Sequence, residues 1–73
     1  MLTGNQVRLI RLMRGLKQHE LADLAGLSFS LISSIERGVR KVTPLTDNRI
    51  QNALNLNDGK LQVLREIEAG MSV

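Results

Sequence analysis

The chain has 73 residues, no Cys and a single His, and carries a formal net charge of +3. This length fits one domain, residues 1–73, with a small core. Without thiols there is neither a disulfide framework nor a thiolate metal site, and one His makes zinc a poor fit. Arginines at 8, 11 and 14 interrupt the apolar runs, so neither a signal peptide nor a membrane span is expected.

One aromatic residue and few β-branched runs argue against a sheet, and the periodicity predicts five helices. The first spans about Gly4 to Arg14. Thr3 and Gln6 have the spacing of a capping box, and Leu2 can staple onto Val7. Val7 and Ile10 share a face with either Met13 or Arg14, and Gly15 ends the helix. The second helix runs from about Gln18 to Ala25, where Gly26 suits a left-handed turn. Ser28 caps the third, from about Phe29 to Arg37, and Leu27 can staple onto Ile32. Gly38 stops it. Thr43 caps the fourth with Pro44 in its first position, where the missing N–H costs little; this helix runs to about Leu54 with Ile50, Ala53 and Leu54 facing inward. Asn57 or Asp58 caps a fifth over about 58–69, amphipathic through Leu61, Leu64 and either Ile67 or Glu68.

Charge is uneven along these elements. Residues 1–49 hold eight basic and four acidic side chains, against two and three in residues 50–73. A basic body with a near-neutral tail suggests a polyanion for the body and a different task for the tail. Within the body, residues 18–37 form a helix, a glycine turn and a second, serine-rich helix. Leu21, Ala22, Ala25, Leu27, Ile32 and Ile35 stand at the spacing that two closely crossing helices need.

The pattern Val7-Arg8, Arg11, Gly15-Leu16-Lys17-Gln18, Glu20-Leu21-Ala22, Gly26-Leu27-Ser28, Ile32-Ser33-Ser34-Ile35-Glu36-Arg37-Gly38 and Ile50 to Leu54 resembles the phage-repressor-like (Cro/repressor, Xre-type) helix-turn-helix DNA-binding family. The resemblance covers roughly Gln6 to Leu56. It implies an all-α, five-helix, lambda-repressor-like domain whose third helix enters the DNA major groove with its first residues at base edges.

The resemblance makes Phe29, Ser30 and Ser34 the base-contacting candidates. Phe29, the only aromatic, is open to two readings: an apolar contact to a thymine methyl, which the resemblance favours, or a core residue turned inward. Ser30 and Ser34 can donate or accept but discriminate weakly, so arginine or DNA shape must supply part of any specificity. Leu31 is a second apolar contact or a rim residue. Phosphate candidates are Arg8, Lys17, Gln18, Ser28, Ser33, Arg37, Arg40 and Lys41; helix N-termini add free N–H groups and partial positive charge. Gln18 in the family touches phosphate and braces the recognition helix. Lys17 departs from the family, where Ser or Thr usually caps the second helix; the lost cap costs on the order of 1 kcal/mol and leaves a cation free for phosphate. Arg11 and Glu36 match a family pair that forms an internal salt bridge. Arg14 and Arg49 are expected to be solvated, and so is His19. Glu20 and Asp23 complement the start of the second helix. Asp47, Asn48 and Gln51 stand where the family is commonly apolar, so the core there must be thin or these groups must find partners.

The expected function is that of a sequence-specific transcriptional regulator, a repressor that binds a pseudo-palindromic operator on double-stranded DNA as a homodimer. Leu61, Leu64 and Met71 are the dimer candidates. The size suits a phage switch protein, a restriction-modification controller or an antitoxin, in the cytoplasm and on the nucleoid when bound. Regulation then falls to concentration, a partner protein or proteolysis. No catalytic constellation, cofactor or metal is expected. The rival reading is a protein-interaction module that keeps the fold without reading an operator.

Overall fold

A computed structural model describes residues 1–56 of the chain. Among them are four helices and no strand: α1 (Gly4–Met13), α2 (Gln18–Ala25), α3 (Phe29–Glu36) and α4 (Pro44–Ala53). The described residues are all-α, as expected. The fifth helix expected over 58–69, with Leu61, Leu64 and Met71, lies outside the described residues. No helix among the described residues is long and apolar enough to cross a membrane.

Each helix starts where its side chains allow. At α1 the Thr3 hydroxyl accepts the Gln6 N–H at 3.1 Å, and the Gln6 side-chain oxygen accepts the Thr3 N–H at 3.0 Å. These reciprocal bonds satisfy two donors that the helix itself cannot. Thr43 and Thr46 repeat the device at α4, with N···O distances of 3.2 and 2.8 Å. Ser28 accepts the Leu31 N–H at 3.0 Å to begin α3. In α2 only half of the device is present. The Glu20 carboxylate accepts the Lys17 N–H at 2.8 Å, but Lys17 makes no side-chain capping bond, because an ammonium has no lone pair to offer.

All four helices end in one motif. The second residue past the last turn donates back five positions: Leu16 to Arg11, Leu27 to Ala22, Val39 to Ser34 and Leu56 to Gln51, at 2.9–3.0 Å. The residue before each donor is left-handed. Gly15, Gly26 and Gly38 fill three of these places, and Asn55, at φ 52°, fills the fourth.

α2 packs on α3 and α4, and α1 on α3. Val7, Leu21, Ile32, Ile35, Ile50 and Leu54 are wholly buried where these faces meet. Burying each such side chain contributes about 1.5–3 kcal/mol before chain entropy is charged against it. Ala22 is also buried, and its small side chain lets α2 approach its neighbours. Leu2 joins Val7 in this core, as the staple requires.

Two details correct the sequence reading, and a third settles an alternative it left open. The third member of the α1 inner face is neither Met13 nor Arg14, both exposed, but Arg11. Its charge is tolerated inside because a carboxylate meets it there. Arg49 is not merely solvated, since its Nη1 donates to the Gly26 carbonyl oxygen at 3.3 Å and ties α4 to the helix turn. Two of the three polar residues in question on α4 find partners, and Asn48 is exposed: one Asp47 oxygen accepts the Leu2 N–H at 2.6 Å and the other accepts the Gln51 amide at 2.8 Å.

Gly4 explains how closely α1 approaches α3. A side-chain methyl at this position would fall onto the carbonyl oxygen of Ile35. Glycine in the first turn of a helix is a poor helix former, and this close backbone approach is its reason.

Candidate nucleic-acid interface

The alternation of α3 decides what it presents. Ile32 and Ile35 point into the core, which turns Ser30 outward and leaves Leu31, Ser33 and Ser34 half-buried, while Phe29, one turn before Ile32, is exposed at the start of the helix. Phe29 is 54% exposed, so the inward, core reading of this residue is set aside. An exposed aromatic at the first turn of a helix beside hydroxyl side chains is available to a groove floor. Leu31 packs partly against the core, which makes it a rim residue.

Ser28, Ser30, Leu31, Ser34 and Arg40 line one concavity of about 260 Å³ along this face. Arg40 reaches it because Gly38, at φ 75°, reverses the chain. The N–H groups of Val39 and Arg40 then both bond to the Ser34 carbonyl, at 2.9 and 3.2 Å. The loop after α3 is thereby fastened to the helix. Arg40 and Lys41 also border a second concavity, of about 380 Å³, beside residues 1–4.

Arg8, Lys17, Arg37 and Lys41 are all exposed. Arg37 lies back along its own helix, with its Nε donating to the Ser33 carbonyl oxygen at 3.4 Å. His19 is exposed, as expected. Among the described residues no cluster of His, Asp and Glu is arranged to hold a metal ion.

Behind the face lies the Arg11–Glu36 pair, with Nε–Oε2 at 2.7 Å and Nη2–Oε1 at 2.9 Å. Its side chains are 11% and 3% exposed. Arg11 Nη1 also donates to the Leu16 carbonyl oxygen at 2.8 Å. The Gln18 amide donates to Glu36 Oε1 at 3.3 Å. One carboxylate thus gathers α1, the first turn of α2 and the end of α3. Its hydrogen bonds and charge hold the Arg11 guanidinium above its ordinary range, against the opposing effect of partial burial. A bidentate arrangement of this kind suits Arg and not Lys.

The sequence reading did not find the Gly4 contact, the Asp47 bond to Leu2, the fastening of Arg40 to Ser34 or the Arg49 tie. Two of these left a signal: Gly4 as a poor helix former directly after a strong cap, and Asp47 as a polar residue where the family is commonly apolar, though nothing pointed to Leu2 as its partner.

The helix-turn-helix family model, of the Xre-like type, matches residues 7–61. The chain belongs to this family. The helix-turn-helix domain is also similar to a solved structure, that of the restriction-modification controller protein C.AhdI from Aeromonas hydrophila. The two are 34% identical with a TM-score of 0.72, over 80% of this chain and 88% of that one. A comparison with curated protein sequences gives no significant match. Family and fold together make this helix-turn-helix protein a DNA-binding transcriptional regulator.

Proposed function

We propose that the chain represses transcription by binding a pseudo-palindromic operator as a homodimer, as a controller of a restriction-modification operon. Its 34% identity to C.AhdI, across most of both chains, carries the controller reading. The outward face of α3 supports operator reading. Phe29, Ser30 and Ser34 meet base edges in the major groove, and the exposed cations at 8, 17, 37, 40 and 41 supply positive charge for the DNA. Gln18, Ser28 and Ser33 contribute phosphate contacts beside the helix starts. Arg11 and Glu36 stay behind the interface and hold it in shape.

A module this small binds DNA weakly alone, and two half-sites about one helical turn apart would give a dimer the affinity a regulator needs. Leu61, Leu64 and Met71 are the proposed contacts between protomers. No chemistry is assigned to the chain, which acts by occupancy of DNA.

Selection of bound fragments from genomic DNA by the purified protein, followed by sequencing, tests this reading. The expected result is an enriched inverted repeat near a restriction-modification operon. A folded protein that enriches nothing at low salt would replace it with the interaction-module reading. An apolar protein interface would also lack the steep loss of affinity with salt that phosphate contacts impose.

A further inference from the structure

We infer that Arg40 is a base-reading residue, and that its ligand is a guanine in the major groove of each half-site; this rests on the operator-binding reading above. Among the residues that line the concavity on the α3 face, Arg40 is the only charged one. Its companions there are Ser28, Ser30, Ser34 and the half-buried Leu31. Two of those, Ser30 and Ser34, are the proposed base contacts. A guanidinium that shares a hollow with base-reading hydroxyls faces base edges.

The backbone holds it there. The Arg40 N–H bonds to the Ser34 carbonyl at 3.2 Å, next to the Val39 bond to the same oxygen at 2.9 Å. The loop therefore cannot swing toward the phosphates without breaking two bonds to the recognition helix. Arg37 and Lys41 differ. Arg37 is folded onto Ser33, and Lys41 borders the second concavity and not this one.

The chemistry selects guanine. Three serines supply permissive donors and acceptors, whereas guanine offers two acceptors, O6 and N7, spaced for the two prongs of a guanidinium. The specificity that serines cannot provide is then concentrated in one side chain outside the helix.

The test uses the operator recovered by selection and a set of variants in which each half-site base pair is changed in turn. Wild type, Arg40→Ala and Lys41→Ala are compared by fluorescence anisotropy at several salt concentrations, after thermal melting confirms that each variant is folded. Wild type should demand guanine at one position of the half-site. Arg40→Ala should lose roughly 5- to 150-fold on the intact operator and become indifferent at that position, with little change in salt dependence. Lys41→Ala should weaken every sequence alike and reduce the salt slope by nearly one. Arg40→Ala that behaves as Lys41→Ala is expected to, with the guanine preference intact, would overturn the assignment and leave the operator reading standing. Failure of the wild type to select any operator would remove both.

Discussion

Arg11 and Glu36, twenty-five positions apart, close on one another through two N–H···O bonds of 2.7 and 2.9 Å. The pair joins the first helix to the end of the recognition helix, and the Gln18 amide shares one of its oxygens. Leaving one partner of a nearly buried pair alone strands a charge in a poor solvent. Glu36→Ala is therefore expected to cost about 3–5 kcal/mol of stability, measured by urea unfolding. A loss below about 1 kcal/mol, the value for an exposed pair, would show that water reaches Arg11 freely.

Gly4→Ala opposes two effects of different sign. Helix propensity alone favours alanine by about 1 kcal/mol. The added methyl, however, falls on backbone, the Ile35 carbonyl oxygen, which cannot rotate away as a flexible side chain would. Net destabilisation of about 1–3 kcal/mol is expected, as for other overpacked sites. A variant that melts higher than wild type would mean that α1 can slide off α3 at little cost.

Lys17→Ser restores the missing hydroxyl at the start of α2, where Glu20 already caps the backbone from its side. Stability should rise by on the order of 1 kcal/mol, while affinity for operator DNA should fall through loss of a cation. Paired melting and binding measurements separate the two. Unchanged binding would remove Lys17 from the proposed phosphate contacts.

Arg8 is exposed and, on the proposed reading, sits on a phosphate. Arg8→Ala should reduce the slope of log affinity against log salt by about 0.9 and weaken operator and random DNA in the same proportion. Binding titrations across a salt series give both numbers. A loss confined to the operator would place Arg8 at a base edge.

The helices could be read from the sequence because their boundaries are local chemistry. Thr3 with Gln6, Ser28, Thr43 with Pro44 and the glycines at 15, 26 and 38 each act within a few residues of themselves. The outward face of α3 was legible for the same reason, once Ile32 and Ile35 fixed its inner side. Relations between distant segments were not. No periodicity announces that Asp47 will accept a hydrogen bond from Leu2, or that Arg49 will reach Gly26. Arg11 could be placed behind the interface only through resemblance to a family; from the pattern alone an arginine among Val7 and Ile10 belongs in solvent. Arg40 was legible as a cation but not as a member of the α3 face, because that depends on where Gly38 sends the chain.

The shared ending of the four helices bears on how fast the domain forms. Each helix is closed by bonds that span five positions or fewer, so its ends need no distant segment to satisfy them. Chains that build mainly from such near-neighbour links pay little loop-closure entropy and fold in microseconds to milliseconds. On the proposed reading, the delay before a newly made chain can act would then be set by its synthesis and by its meeting a second copy, rather than by the folding of this domain.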